Sequence, residues 1–101
     1  MESKKPTYDL ESIKSAFLDV SKLSITRTAL RSARSMGFSL EDITDTIQSI
    51  NRNNFVKSMT SHADHKVWQD VYNVPYNDML LYVKFTAGRV TDFHLLSFKE
   101  V

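Results

Sequence analysis

The chain has 101 residues, of which 42% are hydrophobic and 25% are charged, and it contains no cysteine. That size and balance predict one globular domain over residues 1–101, without disulfides or thiolate metal sites. The apolar runs are far shorter than the ~20 residues that span a bilayer, and no apolar core follows the lysines near the N-terminus. We therefore expect a cytoplasmic protein without a membrane partner. A formal net charge of +1 neither requires nor excludes a polyanionic ligand.

The first half of the sequence has the spacing of helices. Residues 8–20 place apolar side chains at every third or fourth position, and Asp9 stands where it can cap the start. A second helix is predicted over 28–37, with the glycine as its stop, and a third begins at a capping-box-like Ser39. Between the first two helices, the short β-branched segment 24–26 predicts an edge strand.

After residue 54 the pattern changes to that of strands. Four segments rich in β-branched and aromatic residues follow, at 55–61, 67–74, 79–87 and 90–99. Short connections between them, including Gly88-Arg89 before the last strand, predict antiparallel pairing. The predicted fold class is therefore α+β, with N-terminal helices packed on one face of a mainly antiparallel C-terminal sheet. If the helices cover one face, the other is free for a ligand.

One cluster contains residue types that bind metals, namely His62, Asp64 and His65. These residues lie in a short connection between two predicted strands, with no further His or Cys ligand in view. A surface loop is therefore the favoured interpretation, and neither a metal nor another cofactor is predicted. The sequence also lacks a phosphate-binding glycine loop, a nucleophile elbow and a metalloprotease motif.

Polar side chains interrupt the predicted strands at Lys57, Gln69, Tyr82 and Lys84. On pattern alone, solvent-facing positions of a half-exposed sheet explain them best. The alternative is an RNA-cleaving surface, in which a lysine neutralises a phosphate, a glutamine hydrogen-bonds it and a tyrosine hydroxyl donates. Tyrosines on the same strands are suited to stacking on unpaired bases.

The sequence resembles the motility quorum-sensing regulator (MqsR) toxins over nearly its whole length. The most specific part is 55–72, where FVKSMT, then Asp64-His65, then WQDVY follow the family's order. The ending, YVKFT at 82–86 and LSFKE at 96–100, is similar too, and the N-terminal half agrees more loosely through 26–30. The resemblance implies a RelE-like fold and a type II toxin–antitoxin system. It further implies a metal-independent endoribonuclease that cleaves single-stranded messenger RNA at GC-containing sites.

The resemblance also assigns candidate site residues. Those that match the family's proposed catalytic positions are Lys57, Gln69 and Tyr82. Further candidates for contact with RNA or for proton transfer are His65, Lys84, Arg89 and Lys99. A lysine with an ordinary pKa near ~10.4 is a poor base at neutral pH, so Lys57 is expected to stabilise charge. His65 is held in reserve as the acid or base because imidazole titrates near neutrality.

The implied partners are single-stranded mRNA and an MqsA-like antitoxin, for which segment 24–26 offers a sheet edge. The free toxin is expected to be a monomer. Three features depart from the family pattern: Asn73 replaces a familiar basic residue, the last hairpin at 87–91 is longer, and His94 lies farther along its strand than the familiar histidine. The alternatives left open are a non-catalytic RNA-binding module and a protein-interaction module.

Overall fold

The computed structural model describes residues 1–87 and 93–101, so the predicted turn at Gly88-Arg89 and the predicted strand start at 90–92 lie outside the described residues. Within those ranges the chain forms three α-helices and a five-stranded antiparallel sheet. The helices are α1 (Leu10–Ala16), α2 (Arg27–Ser35) and α3 (Leu40–Gln48). The strands, in the order in which they pair, are β1 (Glu2–Ser3), β2 (Phe55–Thr60), β3 (Trp68–Tyr76), β4 (Met79–Ala87) and β5 (Phe93–Glu100). The predicted α+β class is confirmed.

Each helix begins at a side-chain cap, which satisfies amides that have no partner within the helix. Asp9 accepts the Ser12 amide at 3.0 Å, as predicted. Thr26 caps α2, and Ser39 forms the predicted capping box with the third helical residue of α3. The second helix ends two residues before Gly37, whose φ of 84° favours glycine and terminates the turn.

The first helix is shorter than its apolar spacing predicted. It ends at Ala16, and a separate 3-10 turn follows at Val20–Lys22. The side-chain Nε2 of Gln48 on α3 donates to the carbonyl oxygens of Lys14 and Phe17, both at 2.8 Å. The last carbonyl oxygens of α1 thus find their hydrogen-bond donor on another helix, which explains why α1 ends early. The spacing of apolar residues cannot reveal such a contact.

The three helices cover one face of the sheet, here called the inner face. The predicted alternation along β4 is confirmed: Leu81, Val83 and Phe85 are fully buried on the inner face, so Tyr82 and Lys84 project from the opposite, outer face. Phe85 packs against Phe17 of the helical layer, with ring centres 5.7 Å apart. No helix among the described residues is long and apolar enough to cross a membrane.

The hairpin between β3 and β4 is tighter than predicted, because β3 continues to Tyr76. Asn77 and Asp78 form its turn with φ of 49° and 62°, the left-handed conformation that suits a two-residue hairpin and that Asn and Asp tolerate. Pro75 is accommodated because the paired part of β2 ends at Phe55, opposite Tyr72, so this end of β3 is a sheet edge.

The N-terminal segment forms a strand that its sequence pattern does not predict. Strand β1 pairs with β2, and the Thr60 amide donates to the Met1 carbonyl at 3.0 Å. The buried carboxylate of Asp70 then accepts the amides of Thr7 at 3.1 Å and Tyr8 at 2.9 Å. Two residues are too few to show alternation, so the strand exists only through these distant partners.

Segment 24–26 is not the strand that was predicted. It makes one parallel bridge, Ile25 to Leu95, flanked by two backbone hydrogen bonds. The Thr26 amide donates to Leu95 at 3.0 Å, and the Leu95 amide donates to Ser24 at 2.9 Å. Thr26 is the N-cap of α2, so the extended segment ends there and the helix follows directly. The segment nevertheless covers part of the β5 edge.

Candidate nucleic-acid interface

The outer face places two of the candidate lysines on either side of Val71. Lys57 in β2 and Lys84 in β4 are both directly opposite Val71 in β3. Directly opposed residues of antiparallel strands project from the same face, so these residues form one row across the sheet. Val71 is 0% exposed, which shows that neighbouring side chains cover it. An apolar floor therefore lies between the two ammonium groups.

The next row holds the candidate tyrosine. Tyr82 is opposite Asn73 on one side and Lys99 on the other. The Lys99 ammonium lies 5.1 Å from the centre of the Tyr82 ring, a distance at which a cation is attracted to an aromatic face. Oδ1 of Asn73 is buried and has no hydrogen-bond partner within the described part of the chain. The position where the sequence departs from the family pattern thus lies beside Tyr82.

Gln69 lies on the same face but at its far end. It is opposite Met59 of β2 and four residues along β3 from Asn73, or about 13 Å at the usual rise per residue of a strand. Lys57, Gln69 and Tyr82 therefore share one face without forming one compact cluster. A single-stranded nucleic acid laid along this face would pass all three residues.

The histidines occupy two different places. His65 is exposed in the connection between β2 and β3, and within residues 1–87 and 93–101 no group of three or more acidic or histidine side chains is arranged to hold a metal ion. His94 lies opposite Thr86 near the start of β5, and its Nδ1 shares a hydrogen bond with the Ser24 hydroxyl. Arg89, another candidate, falls outside the described residues.

The positive charges on the outer face influence one another. Partial burial, followed by the charges of Lys99 and Lys57, lowers the pKa of Lys84 below its ordinary value. A phosphate bound between these ammonium groups would relieve that repulsion. The outer face is consequently suited to a polyanion, even though the whole chain carries a net charge of only +1.

Lys57 differs because it has an acidic partner that the sequence analysis missed. Its Nζ is 2.7 Å from Oε1 of Glu2 in β1. That hydrogen bond, reinforced by the opposite charges, raises the pKa of Lys57 and lowers the pKa of Glu2. No spacing signal could have revealed the pair, because its members are 55 positions apart and β1 is too short to be predicted.

A sheet that is backed by helices and carries lysines and a tyrosine on its open face defines a small α+β protein suited to nucleic-acid contact. Comparison with known proteins agrees. The family model for the motility quorum-sensing regulator, toxin of MqsA, matches residues 5–100. The chain is also 32% identical over 100 residues to the mRNA interferase toxin MqsR of Escherichia coli (strain K12), which covers 99% of each chain. This chain belongs to the motility quorum-sensing regulator toxin family, and the resemblance seen in the sequence is confirmed.

Proposed function

We propose that this protein is the toxin of a type II toxin–antitoxin system, a cytoplasmic endoribonuclease that cleaves mRNA and so inhibits translation and growth. The observation that carries the proposal is the placement of Lys57, Lys84, Lys99 and Tyr82 together on the face that the helices leave open. Membership of a toxin family, with a relative named as an mRNA interferase, supports the same conclusion. The whole chain, 1–101, acts as one domain.

The proposed reaction is attack by a ribose 2′-oxygen on the adjacent phosphorus. The new bond forms as the bond to the 5′-oxygen breaks, leaving a 2′,3′-cyclic phosphate and a 5′-OH end. One group must take the 2′ proton, another must protonate the departing 5′-oxygen, and donors must stabilise charge on the phosphate. These two proton transfers balance the reaction, and the proposal is that side chains carry them without a metal or another cofactor.

The geometry suggests how the side chains divide these roles. Lys57 has a raised pKa and stabilises the phosphate charge, while the lowered pKa of Lys84 makes it the better lysine for proton transfer. Tyr82 donates a hydrogen bond or a proton, and Lys99 over its ring adds positive charge. Gln69, on the same face, holds and orients the phosphate through hydrogen bonds from its side-chain amide. His65 remains the reserve acid or base.

The proposed substrate is single-stranded mRNA, with cleavage at the GC-containing sites that the family resemblance implies. A duplex hides its base edges in a deep, narrow major groove, whereas unpaired bases can stack on an aromatic ring. The same target sequence annealed to its complement should therefore be cut far more slowly.

Incubation of the purified protein with a mixed-sequence single-stranded RNA in excess EDTA tests this function. We expect discrete products with 5′-OH and cyclic-phosphate ends, and strong suppression when the RNA is annealed. A gel shift without products would indicate a binding module instead, and neither shift nor products would indicate a protein-interaction module. Activity that EDTA abolishes and one metal restores would contradict the proposed metal independence.

The proposed protein partner is an MqsA-like antitoxin that binds a monomeric toxin. Among residues 1–87 and 93–101, segment 24–26 pairs through one side, with Leu95, and its other side is proposed to accept added backbone pairing. Co-expression with the neighbouring reading frame should relieve growth arrest. Persistent arrest with both proteins made and folded would show that this reading frame does not encode the partner.

A further inference from the structure

Strand β1 brings a carboxylate to the candidate RNA face. Glu2 lies opposite Met59, which shares a face with Lys57 two residues away in β2. Its Oε1 is 2.7 Å from the Lys57 ammonium. A phosphate oxygen binds an ammonium at a similar distance, so Glu2 takes up one of the three N–H donors that Lys57 could offer to a phosphate.

The backbone of β1 holds Glu2 in place independently of its side chain. The Met1 carbonyl accepts the Thr60 amide, the N-terminal amine donates to the Thr60 hydroxyl at 3.1 Å, and Ser3 pairs with Ser58. The Glu2 side chain is 63% exposed, and exposed ion pairs contribute little to stability. The carboxylate can therefore leave Lys57 while β1 stays paired.

We propose that Glu2 sets the affinity for RNA, because its carboxylate substitutes internally for the substrate phosphate on Lys57 and must be displaced when RNA binds. The inference rests on the proposed function, since it requires that Lys57 contact an RNA phosphate. Lys84 and Lys99 form no ion pair with an acidic side chain among the described residues, so competition is confined to the β1 side of the face. Glu2 is thus a residue that tunes substrate binding, and it takes no part in proton transfer.

The test compares Glu2→Gln with Glu11→Gln, which removes the same charge from an exposed position on α1. The dissociation constant is measured on an RNA that the protein cuts, made uncleavable by a 2′-deoxyribose at the cut position, and kcat and KM are measured on the cleavable form. Glu2→Gln should lower the dissociation constant and KM about two- to fivefold, as expected for loss of an exposed competing ion pair. The change in kcat should be smaller than the change in KM, and Glu11→Gln should match the parent protein.

A double-mutant cycle on the uncleavable RNA ties the effect to the proposed contact. In a Lys57→Ala background, Glu2→Gln should no longer tighten binding, because the competition has been removed. Raising the salt concentration should shrink the gain in the parent background, since ions screen exposed charges. Thermal unfolding of each variant verifies that β1 and the sheet remain folded.

The outcomes separate this inference from the proposed function. If Lys57→Ala neither weakens binding nor slows cleavage, the proposed site is wrong and the inference falls with it. If Lys57→Ala behaves as expected while Glu2→Gln leaves binding unchanged, or lowers kcat as strongly as Lys57→Ala does, only the role of Glu2 is wrong. An equal gain from Glu11→Gln would attribute the effect to net charge and would also overturn the inference.

Discussion

The inner and outer faces of the sheet are made by alternate residues of the same strands, yet different physical demands shape them. On the inner face, Leu81, Val83 and Phe85 are fully buried against helices, and their size and shape matter most. On the outer face, partial burial and repulsion from Lys99 and Lys57 destabilise the charged form of Lys84 and lower its pKa. The inner face therefore stabilises the fold, while the outer face keeps charges together at some cost to stability.

This contrast indicates where function lies. Like charges and half-buried lysines disfavour folding, and a bound polyanion would offset that cost, which supports the proposed RNA-binding role of the outer face. Substitutions on the outer face should change activity with little loss of stability, and substitutions on the inner face should do the reverse.

Among the substitutions on the outer face, Lys57→Ala should lower the cleavage rate most. We expect cleavage to fall roughly 10²–10⁴-fold, because a group that stabilises charge on the reacting phosphate is removed. The midpoint of thermal unfolding should hardly change, since the ion pair with Glu2 is exposed. Lys22→Ala, on the exposed 3-10 turn beside the helices, is the matched control and should cleave normally. Near-normal rates for a folded Lys57→Ala variant would refute the site.

Phe85→Ala should have the opposite profile. Removing a fully buried ring that packs against Phe17 and Tyr72 should lower the free energy of unfolding by about 3–5 kcal/mol. Denaturant titration measures the loss, and cleavage per folded molecule should stay near that of the parent protein. A stable Phe85→Ala variant without activity would show that the two faces are not separable in this way.

Tyr82→Phe removes one hydroxyl from the outer face and leaves the ring beneath Lys99. We expect cleavage to fall about tenfold or more if the hydroxyl donates to the reacting phosphate or leaving oxygen. RNA affinity should be nearly unchanged, because the ring still stacks. Tyr76→Phe provides the control, and equal activity of the two variants would limit Tyr82 to stacking.

Lys84→Met, on the outer face, should raise the thermal stability of the protein and lower its RNA-cleaving activity. A rise of about 1–3 °C in the unfolding midpoint is expected, because a half-buried charge beside like charges is removed. The folded pKa of Lys84 is lowered, so the unfolded chain binds more protons there, and Lys84 alone contributes a rise in the parent's stability relative to Lys84→Met as the pH approaches 10.5. The variant should lack that rise. A lower midpoint for Lys84→Met would contradict this account.

Tyr72→Phe should give the smallest effect, on the inner face. Burial, followed by the charges of Asp70 and Asp9, raises the pKa of Tyr72 to about 12, and its hydroxyl has no hydrogen-bond partner among the described residues. Removing it should stabilise the fold by up to about 1 kcal/mol. Above pH 10 the unfolded tyrosine loses its proton first, so the parent's stability should fall towards pH 12, and the variant should show less of that fall. Destabilisation by this change would reveal a partner for the hydroxyl.

Much of the fold was predictable because local signals and tertiary packing agree. Local sequence patterns predicted the helix caps at Asp9 and Ser39 and the alternation along β4, and the structure has all three. The early end of α1 and the pairing of β1 were not predictable, because each depends on partners more than thirty positions away. Segment 24–26 was wrongly predicted as a strand for a related reason: Thr26 serves as the cap of α2.

The candidate site was predictable in part. Alternation placed Tyr82 and Lys84 on one face, but the alignment of Lys57 with Lys84 across Val71 depends on the register of three strands. The resemblance to the family supplied the residue types without their spacing, so the distance of Gln69 from the Tyr82 row was not foreseen. Neither strand alternation nor the family resemblance pointed to Glu2.

The anchorage of the N-terminal segment on Asp70 has a consequence for synthesis. The amides of Thr7 and Tyr8 bind a carboxylate 63 and 62 positions farther along the chain. The ribosome makes the N-terminal residues long before the strand that receives them, so Thr7 and Tyr8 have no partner until the helices, β2 and the start of β3 have emerged. The Asp70 anchorage therefore forms only after at least 70 of the 101 residues have been made, late in translation, the process that the finished toxin is proposed to inhibit.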